Sequence, residues 1–179
     1  MTSGPDAKII VAVSSVRIGA SIMMAAVALS FLQRPGLAEE IPLGRVREGN
    51  LRAMSEAWRA GQDAYSPELA DVRAIAALPR PAVLEVYFGS WCSDRRREIP
   101  RLLAILEAAG PLPLKTRFYG IDRTKKEPAR TVAKIGLERV PTFVLRVKGE
   151  EIGRIVERPQ TTLEHDLALI VGRMPASRP

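Results

Sequence analysis

The sequence predicts an α/β domain with a central mixed sheet and flanking helices, carried behind an N-terminal helical extension and a signal peptide. Three observations predict it. From residue 81 onward, segments of strand and helix character follow in the order strand, helix, strand, helix, strand, strand, helix. A strand–helix–strand unit needs a right-handed crossover that lays its helix on a sheet face, whereas the two adjacent strands near the end read as an antiparallel hairpin. Residues 1–38 follow another rule, an uncharged apolar run between basic and small residues.

The chain has 179 residues, more than one ordinary domain of roughly 100–150 residues requires. Hydrophobic residues make up 46% and charged residues 26%, a globular balance that excludes a disordered chain. The formal net charge is +7. Residues 1–38 contribute +2 through Lys8, Arg17 and Arg34 against Asp6, leaving +5 dispersed over residues 39–179. Aromatics are few, and neither zinc-finger spacing nor an aromatic RNA-binding signature occurs, so no nucleic-acid partner is expected. One cysteine and one histidine exclude an intrachain disulfide, and neither a metal site nor a cofactor is expected.

Residues 1–38 read as a signal peptide. Lys8 and Arg17 precede the apolar run Ile18–Leu32, and Gly36-Leu37-Ala38 offers small residues where a signal peptidase reads them. Cleavage after Ala38 sends the protein to the periplasm or outside the cell. The alternative is an inner-membrane anchor with a periplasm-facing domain, because Ile9–Leu32 is long enough to span the bilayer. Arg17 would then enter the apolar span, at a cost of about 2.5–3.5 kcal/mol if central. A membrane partner is expected only if this segment stays uncleaved.

Residues 39–80 read as a linker and N-terminal helices. Pro42, Gly44 and Gly49 mark the linker, and Leu51, Met54 and Trp58 have helical spacing. Ser66 is expected to cap a second helix with Pro67 in its first position, turning Leu69, Val72, Ile75, Ala76 and Leu78 toward the core. Pro79 and Pro81 end it. Ala82–Phe88, rich in branched and aromatic residues, predicts a strand. Ser93–Ala109 predicts a long helix, with Ile99, Leu102, Leu103, Ile105 and Leu106 on its apolar side and Gly110-Pro111 at its end. Leu114–Ile121 alternates like a strand, and Asp122–Glu127 is a polar loop. Pro128–Ile135 predicts a short helix closed by Gly136. Thr142–Val147 and Ile152–Val156 form a hairpin about Lys148–Glu151. Thr161 or Thr162 caps a last helix through Val171. The α/β domain thus covers residues 81–172, and residues 173–179 read as a loose tail.

Chemistry concentrates at Cys92, where the turn Gly89-Ser90-Trp91-Cys92 joins a strand to a helix. A helix N-terminus presents unpaired amides and the positive end of a dipole, a setting that favours thiolates. Arg95, Arg96 and Arg97 add positive charge, or form a solvated helix face. Asp94 opposes them and is expected to cap the helix. Cys92 is the catalytic candidate, with Ser93, Asp94 and Arg95 in support.

The order of elements together with Phe88-Gly-Ser-Trp-Cys92 resembles the thioredoxin superfamily. Pro100 falls eight residues after the cysteine, where that family kinks its active-site helix. Val140-Pro141-Thr142 matches the segment holding the family's cis-proline opposite the active cysteine, and Gly149 falls in the hairpin. The resemblance covers about Pro81 to Val171. Trp-Cys-Ser-Asp followed by Arg-Glu-Ile-Pro is similar to a bacterial envelope branch whose members often lack the second cysteine. It implies a thioredoxin-like fold, a cis Val140–Pro141 bond, and substrate contacts from Trp91, Val140, Pro141 and Thr142. Two departures stand out. The family's second cysteine aligns with Arg95, and its buried proton-transfer acid aligns with Val86; the adjacent Glu85 points to the opposite face.

Two readings remain open. One is monothiol thiol–disulfide exchange through Cys92, on a protein or low-molecular-weight thiol or disulfide. The other is a non-redox binding module that offers the groove at Trp91 and Pro141. A glutathione-linked or peroxide-reducing role is a weaker third. A monomer is expected. Trp58 and Tyr65 read as packing residues of the leading helices, His165 as a surface or helix-packing residue, and Asp122–Glu127 as a solvated loop near the site.

Overall fold

The computed structural model describes residues 41–174, apart from Ser55 and Glu127. Residues 1–38, read as a signal peptide, residues 39–40 and residues 175–179 lie outside the described residues. No helix among the described residues is long and apolar enough to cross a membrane.

Five strands form one sheet in the order β1-β3-β2-β4-β5. The central strand β2 (Ala82–Phe88) runs parallel to β3 (Leu114–Gly120) and antiparallel to β4 (Thr142–Val147). β5 (Glu150–Val156) returns antiparallel along β4. Lys148 (φ 52) and Gly149 (φ 89) both take positive φ between them, the geometry of a tight two-residue hairpin turn. The edge strand β1 (Gly44–Val46) pairs antiparallel with β3. It lies inside the segment read as linker, whose Pro and Gly residues bracket too short an apolar stretch to announce a strand.

Alternation along β2 sorts its side chains. Leu84, Val86 and Phe88 enter the larger core with Phe118, Phe143 and Leu145. That face is covered by α4 (Arg95–Ala109), through Ile99, Leu102, Leu103 and Ile105, and by α6 (Leu163–Gly172), through Leu163, Leu167 and Ile170. Tyr87 points the other way, into a smaller cluster with Cys92, Ile121, Val140 and Val144, to which α5 (Ala129–Ile135) adds Ile135. Gly136 ends α5 in the left-handed conformation, and Thr162 Oγ1 caps α6 by accepting from His165 N at 3.2 Å.

The leading segment forms three helices, α1 (Glu48–Met54), α2 (Glu56–Asp63) and α3 (Leu69–Ala76). Glu68, not Ser66, caps α3: its carboxylate accepts from Ala70 N at 3.3 Å, so Pro67 precedes the helix. Val72, Ile75 and Leu78 are buried, but Leu69 and Ala76 are exposed. Leu69 lies in the first turn and opens onto a cleft bordered by α4 and α6 instead of reaching the core. Residues 173 and 174 do not belong to a loose tail, since Met174 is 7% exposed and packs in the larger core. His165 Nδ1 lies 3.2 Å from the Asp71 carboxylate, tying α6 to α3.

Candidate active site

Parallel pairing of β2 with β3 leaves both strands ending at the same edge of the sheet, and Ile121 N donates to Phe88 O at 2.9 Å there. β4 starts at that edge, with Thr142 opposite Tyr87. The loop before β4 therefore meets the turn after β2. Cys92 N donates to Gly89 O at 3.1 Å, which closes the turn. Cys92 Sγ donates to Val140 O at 3.0 Å, joining residues 48 apart in sequence. The Val140–Pro141 peptide bond is cis.

The neighbours of Cys92 differ in their access to solvent. Cys92 is 8% exposed and Val140 3%. Pro141 is buried, and its carbonyl accepts from Glu157 N at 2.7 Å. Thr142 is buried with its Oγ1 donating to Arg139 O at 2.6 Å, so the hydroxyl is directed to its own loop. Trp91 is half-buried, and Lys125 Nζ lies 5.8 Å from its ring centroid, which brings the polar loop 122–126 to the edge of the site. Gly89 makes room for the indole: a Cβ there would stand 2.5 Å from Trp91 Nε1.

The three supporting residues depart from expectation. α4 begins at Arg95, so Cys92 lies ahead of the helix and not in its first turn. Asp94 has helical φ and ψ and makes no side-chain cap; its carboxylate instead accepts from Arg158 Nε at 3.0 Å and lies 3.5 Å from Arg97. A residue already in helical geometry directs its side chain away from the first-turn amides. Ser93 is exposed and stands apart from the contact between Cys92 and Val140. Arg95 is neither solvated nor turned to the thiol. It is wholly buried, its Nε donates to Ser90 O at 3.0 Å, and its guanidinium carbon lies 5.5 Å from the Trp58 ring centroid. The solvated-face reading holds for Arg96 and Arg97, which are exposed.

Val86 is fully buried in the larger core, so no carboxylate stands at that position. Glu85, on the opposite face, is held by a network absent from the sequence reading. It accepts from Tyr87 Oη at 2.8 Å and from Arg146 Nε at 2.8 Å, with Arg117 3.8 Å away. Burial, and then the bond to Glu85, push the Tyr87 hydroxyl far above the ordinary tyrosine range. Tyr65 is likewise more than packing. Its hydroxyl donates to the buried Glu164 carboxylate at 2.7 Å, and burial followed by that bond raises its pKa strongly. Period-2 alternation places Glu85, Tyr87 and the cross-strand Arg146 near one another, and it is the one signal that could have found the network. Among the described residues no cluster of His, Cys, Asp and Glu has the makings of a metal site.

No family model and no curated protein matches the sequence. Solved structures similar to part of the chain include a protein of unknown function from Pseudomonas aeruginosa, at 17% identity over 65% of this chain and 78% of that one, with a TM-score of 0.48. A mutant thioredoxin from Halobacterium salinarum is 19% identical over 57% of this chain and 83% of its own, with a TM-score of 0.39. A Fasciola hepatica thioredoxin is 24% identical over 49% and 80%, with a TM-score of 0.34. The fold assignment rests on the topology itself. A five-stranded mixed sheet with a parallel β2–β3 pair, a terminal β4–β5 hairpin and helices on both faces is a thioredoxin-like α/β fold.

Proposed function

We propose that this protein is a monothiol thiol–disulfide exchange protein acting through Cys92. The observation that carries the reading is the Cys92 Sγ to Val140 O contact of 3.0 Å, which sets the single thiol against the loop of Pro141 beside the half-buried Trp91. Loss of the thiol proton frees the sulfur as a nucleophile. Its attack on one sulfur of a substrate disulfide forms a Cys92–substrate disulfide, breaks the original S–S bond and expels the other sulfur as a thiolate. With Arg95 filling the position three residues on, an external thiolate attacks the mixed disulfide and releases Cys92. The external thiol is oxidised and the substrate disulfide reduced. The half-buried Trp91 and the backbone of the buried Val140-Pro141-Thr142 segment would meet the substrate, the exposed Ser93 stands at the margin, and the leader-like residues 1–38 support a periplasmic or secreted location.

A second reading is favoured by the burial of Cys92 at 8% exposure: a non-redox module that binds a partner at the same groove. Affinity capture from the native envelope, with wild type and Cys92→Ala side by side, separates them. Mixed disulfides seen only with wild type support exchange. Partners retained equally by both, with no covalent adduct, reject exchange and leave the binding module.

A further inference from the structure

One residue past Cys92 in sequence, and apart from the Pro141 loop, a cleft of about 400 Å³ opens between α2 and α4. Gly61 of α2 permits the approach of the two helices, since a Cβ there would stand 3.3 Å from Pro100 Cβ. Ser93, the residue after Cys92, lines the cleft with Arg96, Arg97 and Arg101, and no carboxylate is among its lining residues. Two of the arginines are held from below. Glu98 is fully buried; Arg97 Nε donates to its carboxylate at 2.5 Å and Arg101 approaches it at 3.6 Å. Arg101 also packs over the Tyr65 ring, 4.9 Å from its centroid. Asp94 also lies 3.5 Å from Arg97, so two carboxylates hold Arg97 and Arg101 in place. Arg96 is exposed and has no ion pair among the described residues. Arg96 thus leaves a positive charge in the cleft, next in sequence to the thiol, and the Ser93 hydroxyl adds a polar partner.

We propose that this cleft is an anion subsite that takes a carboxylate carried by the disulfide presented to Cys92. The inference deepens the exchange reading above and names its substrate class as anionic disulfides. Exchange then draws its preference from arginines of α4, in a cleft walled on its other side by α2 of the helical extension.

Binding is measured on full-length Cys92→Ser protein, which cannot exchange, by NMR titration with 3,3′-dithiodipropionate and with the neutral bis(2-hydroxyethyl) disulfide. The carboxylate-bearing probe is expected to bind about tenfold more tightly, with Arg96→Gln removing most of that difference. Lys115→Gln, which removes one exposed charge far along the chain, is expected to leave it intact. Arg97 and Arg101 are left unaltered because they hold the buried Glu98. Equal binding of the two probes, or equal loss in Arg96→Gln and Lys115→Gln, overturns the subsite. Disulfide-bridged peptides with Glu or Gln beside the half-cystine identify the source. Preference for Glu assigns the carboxylate to a polypeptide, whereas preference confined to the small probes assigns it to a low-molecular-weight disulfide. Mixed-disulfide formation by wild type with bis(2-hydroxyethyl) disulfide, read by mass spectrometry, tests Cys92 separately. A carboxylate preference without any adduct retains the anion site and rejects exchange.

Discussion

The Arg95 guanidinium carbon lies 5.5 Å from the Trp58 ring centroid, wholly buried, while its Nε donates to Ser90 O at 3.0 Å. A single side chain so connects α2 to the turn that carries Cys92. Trp58 continues the connection into the sheet, its ring 6.3 Å from that of Phe88. Arg95→Ala removes the cation–π contact and the hydrogen bond and opens a cavity under Trp58, so it is expected to cost about 3 kcal/mol or more in urea denaturation. A loss below about 1 kcal/mol would show that the arginine is not a structural element.

Arg95→Cys combines the same structural loss with a chemical gain. It puts a second thiol about one helical turn from Cys92, where it can resolve a mixed disulfide internally. Insulin reduction with dithiothreitol is expected to be slow for wild type, faster for Arg95→Cys and absent for Cys92→Ala. The melting temperature of Arg95→Cys should fall at the same time. Wild type matching a two-cysteine thioredoxin would show that resolution needs no second cysteine.

Gly89→Ala tests how Trp91 is held. The new Cβ would stand 2.5 Å from Nε1 and 2.7 Å from Cε2 of the indole, closer than atoms approach, so Trp91 must rotate outward. We expect a red-shifted tryptophan emission and a stability loss of about 1–3 kcal/mol. Unchanged emission would mean that the turn accommodates the methyl without moving the ring.

Alkaline pH should weaken the fold. Tyr87 and Tyr65 have folded pKa values raised above the ordinary tyrosine value of 10.0, by burial first and then by their bonds to Glu85 and Glu164. A raised folded pKa contributes stability that is fully present below the unfolded value and is lost as pH rises beyond it. Urea midpoints are therefore expected to fall above about pH 10, and less steeply in Tyr87→Phe and Tyr65→Phe. Identical slopes in wild type and both variants would contradict the assignment.

Met174 lies at the C-terminal end of the described residues, yet it is 7% exposed and its N–H donates to Val171 O at 2.9 Å. Met174→Ala is expected to cost about 2 kcal/mol or more in chemical denaturation. A neutral effect would return these residues to the status of a dispensable tail.

Local elements were legible because their causes lie within a few residues. The branched run Ala82–Phe88, the hairpin at Gly149, the left-handed stop at Gly136 and the Thr162 cap each rest on short-range sterics or hydrogen bonds. Misreadings began where two local solutions were of similar energy. Ser66 and Glu68 both offer oxygens to the start of α3, and the chain uses Glu68, whose own backbone amide donates to Glu164 at 3.1 Å. That bond spans 96 residues and leaves no trace in local pattern.

The sequence by itself determined the strand and helix segments, the thioredoxin-like order and the position of the single cysteine, since periodicity and turn chemistry act over short distances. Only the tertiary structure decided what surrounds that cysteine. Val140 reaches Cys92 because antiparallel β4 begins where parallel β2 ends, and β1 exists only because β3 offers it an edge. Arg95 and Arg96 are adjacent and chemically identical, yet α2 buries the first and leaves the second in solvent. Neighbouring helix positions face about 100° apart, and which direction is inside depends on a partner helix some forty residues earlier in the chain.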